Sequence, residues 1–310
     1  DANTEKRKKN LALFLSLGGL GLCAFVIWFV IRANKKVKLA NKLVKEQKKH
    51  VEEQKAIIEE KHKDITDSIF YAQKIQESLI IPEAQLKKSL PESFVLYAPR
   101  DIVSGDFYWY GERDGFKILA VADCTGHGVP GAFMSLIGIS SLNQVVLERG
   151  LTSPAKILDL LREKVIQSLN QNNEDSHRKD GMDISVIALK NKELIYAGAN
   201  NPCIILRNKE IISLEANKQP VGFHEHATAF FEKKTELQKG DLIYLFTDGI
   251  VDQFGGEKGK KLKIKYFKEW LLECSTMEMP KQKEFIQNKL KDWKRNFDQT
   301  DDILITGVKC

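Results

Sequence analysis

Between Leu11 and Ile31 the chain runs LALFLSLGGLGLCAFVIWFVI, about twenty residues without a charge. That is the length a helix needs to cross the hydrocarbon core of a bilayer. Basic residues flank it on both sides: KRKK at 6–9, then Arg32, Lys35, Lys36 and Lys38. A secretory signal peptide is the competing reading, but no small-residue cleavage site follows and the next segment is long and charged. The expectation is a basic flank over 1–10 and a single transmembrane helix over 11–31. With cations on both sides the positive-inside rule gives no orientation, so orientation must come from what the rest of the chain does. A chain that opens on Asp1 without a methionine is expected to be a fragment or a processed product.

From Val37 an apolar residue returns every seventh position: Val37, Val44, Val51, Ile58, Ile65, Ala72 and Leu79. The companion position three residues on reads Ala40, Gln47, Gln54, Lys61, Ser68 and Ile75. One aliphatic, mostly β-branched seam beside a largely polar one predicts a weak parallel two-stranded coiled coil over 32–81, and with it a homodimer. A register this regular has little purpose for a lone solvated helix. Pro82 stops it. The formal charge is +6, with 48 Lys+Arg against 42 Asp+Glu. Much of that surplus lies in the lysines between Arg32 and Lys63, which read as a solvated helical face rather than a nucleic-acid-binding surface. Those nearest the apolar run are expected to favour anionic lipid headgroups.

Beyond Pro82 the texture changes. Strand-like runs occur at 94–99, 106–111, 116–123, 184–190, 194–199, 203–207, 241–248 and 303–309, with short hairpin-like separators such as GERDG, KNK and RNKE. Helical periodicity gathers in two blocks, at 129–149 with 154–171 and at 264–275 with 281–296. Antiparallel strands with helices in blocks predict an α+β sandwich over 82–310 rather than a βαβ array.

Aspartates stand at the ends of these strands. Asp106 precedes FYWY, Asp123 ends FKILAVAD, Asp248 ends LIYLFTD, and Asp301 and Asp302 precede ILITGV. A single aspartate after a strand is ordinarily a turn former. Acids repeated at the ends of strands this apolar imply more, because facing sheets bring strand ends to one edge. Converging carboxylates repel and need a compensating charge. Oxygen donors without a Cys/His cluster point to Mg²⁺ or Mn²⁺. In DCTGHG, Asp123 is then a metal ligand, and the glycines let the backbone come close enough for a carbonyl to join. Two such ions could hold a bridging water and lower its pKa.

The five cysteines, Cys23, Cys124, Cys203, Cys274 and Cys310, are odd in number and form no CxxC pair. Reduced thiols are the simplest account. Cys124 lacks the arginine-ended phosphate loop that thiol phosphatase chemistry requires, so it reads as a packed small residue. His127 is a candidate general acid or ligand, behind Asp106 and Asp123. A role holding its turn by hydrogen bonds ranks ahead of catalysis, since one histidine without a partner signals little.

The stretches SGDFYWY, VADCTGHGVPGAFMSL, YAGANNP, QPVGF, LFTDGIVD and TDDILI occur in this order across about 83–310. At these residues the chain resembles the metal-dependent serine/threonine phosphatases of the protein phosphatase 2C superfamily, and within it the bacterial SpoIIE-like branch. The resemblance implies an αββα sandwich with a two-metal centre at one edge, and attack of metal-activated water on phosphoserine or phosphothreonine. Carried over, Asp106 and Asp123 are metal ligands with Asp123 bridging, the Cys124 backbone adds an oxygen, and Asp248 and Asp301 complete the second ion's shell. Arg100 is the candidate phosphate-binding arginine. The branch implies small phosphorylated anti-sigma-factor antagonists as substrates, a phosphatase domain in the cytoplasm beneath the inner membrane, and control through helices that hold a metal ligand. Those helices would be residues 66–82 and the segment after GHGVPGAF.

Three departures stand out. Asp183 falls where the superfamily often has a small hydroxyl residue, and reads as an extra ligand or a strand-edge acid. AGANNP replaces a histidine-bearing motif and is expected to affect only a turn. The offset of Arg100 also differs from that in the animal-type enzymes. Two rival readings, an ATP-binding sensor kinase and an inactive phosphoprotein-sensing module, are weakened respectively by the TDG and TDD motifs and by the full complement of acids.

Overall fold

The computed structural model describes residues 2–171 and 180–310. One helix, α1 (Ala2–Leu79), carries both the uncharged run and the heptad register. The chain divides at Asp67/Ser68 into two compact units. In the first, residues 2–65 are exposed throughout. This helix is long and apolar enough near its start to cross a membrane; Gly128–Glu148 passes the same test of length and composition, but more than half of it is buried in the protein.

In the second unit, Pro82 ends the register and a short helix α2 (Glu83–Ser89) follows. Then come β1 (Ser93–Ala98), β2 (Phe107–Arg113) and β3 (Phe116–Cys124). Helix α3 (Gly128–Leu142) continues into a π-helical turn over Asn143–Glu148, and α4 (Pro154–Ser168) follows. The middle of the unit is β4 (Gly181–Lys190), β5 (Glu193–Ala199), β6 (Cys203–Arg207), β7 (Glu210–Leu214), β8 (Val221–Gly222), β9 (Lys233–Glu236) and β10 (Leu242–Phe246). A one-turn helix α5 (Gly249–Asp252), a small hairpin of β11 (Phe254–Gly255) and β12 (Lys260–Lys261), helices α6 (Lys263–Cys274) and α7 (Met279–Lys294), and β13 (Ile303–Lys309) complete it.

The strands form two large antiparallel sheets. One has the order β1-β13-β10-β6-β7; the other runs β2-β3-β4-β5-β9, with β8 paired to β4. They face each other across a core that joins Val95, Ile205, Ile243, Leu245 and Leu304 to Leu119, Val121 and Ile187. Helices α3 and α4 cover the outer side of the second sheet, so β3 and β4 are buried on both faces and read as unbroken apolar runs. Ser153 caps α4 by accepting from the Lys156 amide, and Ile157, Leu158, Leu161 and Val165 supply its buried stripe. On the other flank Phe267, Trp270, Leu271 and Ile286 of α6 and α7 pack on Phe94, Leu96, Ile204 and Phe246. Each such aliphatic or aromatic side chain contributes about 1.5–3 kcal/mol by leaving water.

Because neighbouring strands alternate in direction, the start of β2, the end of β3 and the start of β4 share one edge. Asp123 stands directly opposite Asp183 in the β3–β4 register, and Asp106 lies one step beyond the Phe107–Ala122 pair. In the facing sheet the end of β10 meets the start of β13, where Phe246 pairs with Ile305. Strand direction alone thus brings the acids toward one rim.

Candidate metal centre

Asp106 is 2% exposed. Its carboxylate accepts from the Thr247 hydroxyl at 2.7 Å, its amide donates to Ser104 Oγ at 3.0 Å, and its carbonyl accepts from the Tyr97 hydroxyl at 3.1 Å. Thr247 is itself fixed by the Leu304 amide, which donates to its Oγ1 at 3.1 Å, so one hydroxyl ties β10 and β13 of the facing sheet to this acid. Asp123 and Asp248 share a hydrogen bond between their side chains. Asp302 is also buried and accepts from two backbone amides, Arg100 at 2.7 Å and Gly105 at 2.8 Å. It clamps the 100–105 loop that leads into Asp106. Its own amide donates to Asp301 Oδ1 at 2.9 Å.

The loops are drawn this close by absent side chains. A Cβ on Gly131 of α3 would strike the Gly126 carbonyl and stand only 2.9 Å from the Gly105 Cα, so glycine is what lets these three backbone segments meet. A Cβ on Gly249, next to Asp248, would strike the Asp302 carbonyl. Thr125 holds the DCTGHG loop to β4 by donating its amide to the Gly181 carbonyl at 2.9 Å and accepting from the Gly181 amide at 3.2 Å.

Burial and crowding act together on the acids. Burial, then Asp106 and Asp248, push Asp123 up to about 10. Asp106 is held well above the ordinary carboxylate range, chiefly by burial and then by Asp302, Asp301 and Asp248, against the Thr247 hydrogen bond. Asp248 is also raised by burial, with Asp252 and Asp301 adding to it and Lys261 opposing. Asp183 rises by burial too, opposed by Asn200, whose amide donates to it at 2.8 Å. Asn200 has φ 56°. The AGANNP stretch therefore forms a turn and also reaches the acid facing Asp123.

Among the described residues no three acidic, histidine or cysteine side chains already surround one point as an ion requires. The carboxylates are turned instead onto protein donors and onto one another. The donor set nonetheless fits a divalent cation. Asp106, Asp123, Asp248 and Asp301 interact electrostatically, with oxygen atoms as the donors. Burial first, and mutual repulsion after it, raise the pKa values of Asp106, Asp123 and Asp248, a cost that either protons or hard cations relieve. The Cys124 carbonyl faces the same interior, 3.3 Å from where a Cβ on Gly105 would stand. The Cys124 thiol is buried, and burial raises its pKa well above the usual thiol range.

His127 and Arg100 lie outside this cluster of carboxylates. His127 Nδ1 is 2.8 Å from Asp101 Oδ2, and both side chains are about half exposed, at 50% and 43%. The Arg100 guanidinium donates to the Thr300 carbonyl at 3.0 Å, one residue from Asp301. A cavity of about 670 Å³ opens elsewhere, lined by Leu90, Lys117, Lys190 and Val308 and by none of these acids.

Four residues at or beside this centre carry no signal strong enough for sequence reasoning. Asp101 and Thr247 look like ordinary turn residues, and Asp302 is masked by the doublet it forms with Asp301. Gln76 is the least expected. It lies outside the heptad seam, yet is 4% exposed. Its Nε2 donates to the Ser104 carbonyl at 2.6 Å and to Ser135 Oγ at 2.8 Å, and its Oε1 accepts from the Ser104 amide at 3.1 Å. One side chain thus links the end of α1, the loop before Asp106, and α3.

Known proteins share this fold. Residues 114–310 match the family model described as Stage II sporulation protein E (SpoIIE). The phosphoserine phosphatase RsbU of Bacillus subtilis (strain 168) is 25% identical over 196 residues. That match covers 61% of this chain and 55% of RsbU, so the chain spans about half the length of that relative. The SiaA-PP2C domain of Pseudomonas aeruginosa is 30% identical, with a TM-score of 0.74 over 80% of this chain and 98% of that domain. The PP2C phosphatase domain of SpoIIE from Bacillus subtilis, solved with a fragment of its regulatory domain, shares the fold at 19% identity and a TM-score of 0.57, over 70% of this chain and 62% of that one. With a family model spanning more than half of its length, and a PP2C domain overlaid across most of it, the chain belongs to the SpoIIE family of PP2C-type phosphatase domains.

Proposed function

We propose that the chain is a membrane-anchored, dimeric protein serine/threonine phosphatase that removes phosphate from a regulatory phosphoprotein of the anti-sigma-factor-antagonist class. The observation that carries the catalytic part is the gathering of Asp106, Asp123, Asp248 and Asp301, from four distant stretches, into one mutually repelling group around the buried Asp106. Asp106, Asp123, Asp248 and Asp301, with the Cys124 carbonyl, would hold the cations. Two divalent cations, Mn²⁺ or Mg²⁺, when bound supply an activated water and offset the charge that develops on the phosphoryl oxygens.

The chain's own residues do the rest. Thr247 orients Asp106. Asp302 braces the loop from Arg100 to Gly105 and so sets where the Arg100 guanidinium can meet a phosphate. The Asp101 carboxylate fixes the His127 ring through Nδ1, which leaves Nε2 to hold or deliver a proton. Asp183 and Asn200 extend the polar rim.

The anchoring part is supported by the uncharged run within α1, long enough to span a bilayer. The dimer is supported by the exposed seam Val37, Val44, Val51, Ile58 and Ile65. We place residues 1–10, 11–31, 32–81 and 82–310 as flank, membrane span, signalling helix and phosphatase domain, the last in the cytoplasm. The test is phosphate release from a phosphoserine peptide by the full chain, with and without Mn²⁺. Mn²⁺-dependent release that Asp123→Asn and Asp248→Asn each abolish is expected; hydrolysis that survives either substitution contradicts the site.

A further inference from the structure

The sequence EKGKKLKIKYFK at 257–268 carries six lysines and one glutamate. Lys258, Lys260, Lys261, Lys263 and Lys265 are all exposed. In the long helix, by comparison, Lys42, Lys48, Lys49 and Lys55 each face a glutamate one turn on. Here the one local acid, Glu257, is 3.7 Å from Arg295 instead, and Lys261 alone of the five has a carboxylate, Asp252, at 2.6 Å. Lys258, Lys260, Lys263 and Lys265 have no ion-pair partner among the described residues. Nor does secondary structure account for them. Lys263 and Lys265 lie in the first turn of α6, where the helix dipole disfavours cations. Lys263 also holds φ at 68°.

This charge is fixed beside the acid cluster. Asp252, which pairs with Lys261, ends the one-turn helix that begins just after Asp248, and Lys261 acts electrostatically on Asp248 itself. Gln253 ties the hairpin to the stretch before Asp301: its Nε2 donates to the Asp298 carbonyl at 2.9 Å and its Oε1 accepts from the Thr300 amide at 3.1 Å. The Gly256 amide donates to the Trp293 carbonyl at 2.8 Å, which seats the turn on α7.

Resting on the phosphatase reading above, we infer that Lys258, Lys260, Lys263 and Lys265 form the docking surface for the phosphoprotein, and that they recognise acidic residues flanking its phosphorylated serine or threonine. A row of unpaired cations at the rim of a site steers partners of opposite charge and selects against basic ones.

The experiment uses the full chain in neutral phosphatidylcholine nanodiscs with Mn²⁺. Its probes are two phosphoserine peptides of equal length, one flanked by glutamates and one by glycine and serine. The expected wild-type kcat/KM favours the acidic peptide by about tenfold at low salt, mainly through KM, and the preference shrinks at high salt. K258E/K260E and K263E/K265E are each expected to lower the acidic-to-neutral ratio, and K258Q/K260Q to fall between them and wild type. Thermal unfolding of each variant checks that it is folded. An absent wild-type preference, or one that survives both charge reversals, overturns the docking surface while leaving the phosphatase reading intact. So does a result in which the reversals reduce only the binding of phosphatidylserine vesicles, which would assign the strip to a lipid surface. Failure to hydrolyse either peptide with Mn²⁺ overturns the phosphatase reading itself, and the docking surface with it.

Discussion

In the proposed metal site, Asp123 is also a residue that weakens the fold. Burial and its neighbours push it up to about 10, so near neutral pH the native state retains protons that the unfolded chain has released. For raised carboxylates the sign is fixed. Their contribution to stability is fully present below the ordinary range near 4, and is lost as pH climbs toward their folded values. Without divalent cations the melting temperature is therefore expected to fall between about pH 5 and pH 9, and Mn²⁺ to restore it most strongly at the alkaline end, because ion binding displaces those protons. A metal-free melting curve that rises across this window contradicts the shared-proton account. Asp123→Asn removes one of the repelling charges. Its metal-free form is expected to melt at or above the wild-type temperature while Mn²⁺-dependent phosphate release drops at least about a hundredfold, measured side by side. These acids were legible because each follows or precedes an apolar strand, and alternating strand direction gathers such ends. Thr247 and Asp101 were not, because a buried hydroxyl or a half-exposed loop acid has no sequence pattern distinct from a turn; Asp302 stood among the strand-end acids, but nothing in its pattern marks it as the brace of the 100–105 loop.

Among the elements, the end of α1 carries a consequence that its heptad pattern hides. Gln76 satisfies both the amide and the carbonyl of Ser104, two residues before Asp106, and also reaches Ser135 in α3. Gln76→Ala leaves those buried backbone groups unpaired, a cost of about 1–3 kcal/mol. The loop that presents Asp106 should also loosen. The expected result is a higher Mn²⁺ concentration for half-maximal phosphate release together with a lower melting temperature; an unchanged Mn²⁺ response would show that this contact does not reach the metal acids. Gly249→Ala tests the opposite side, since its Cβ would strike the Asp302 carbonyl. Loss of activity with partial loss of stability is expected, read from phosphate release and a denaturant melt. The long helices and most strands were readable from periodicity. The short edge strand KKTE of β9 was not, because it buries little and alternates without an apolar face. A glutamine on a charged helix likewise reads as solvent-facing until a partner loop covers it.

In the whole molecule a helix long and apolar enough to cross a bilayer, with a heptad seam along it, precedes a two-sheet phosphatase domain. The seam predicts that the full chain is a dimer by light scattering in detergent, and that lysines introduced together at Val44, Val51 and Ile58 make it a monomer; a monomeric wild type would refute the coiled coil. The fold class could be read from the sequence because helices and strands fall in separate blocks. The contact between Gln76 and the loop before Asp106 could not, because it pairs residues 28 apart through polar groups that leave no periodic trace. The most direct test of the central claim is anomalous X-ray scattering at the manganese edge from crystals of the protein grown with Mn²⁺. Two peaks are predicted among Asp106, Asp123, Asp248 and Asp301, with the Asp123 carboxylate touching both; no peak at this edge of the sandwich, or peaks ligated by other residues, would contradict it.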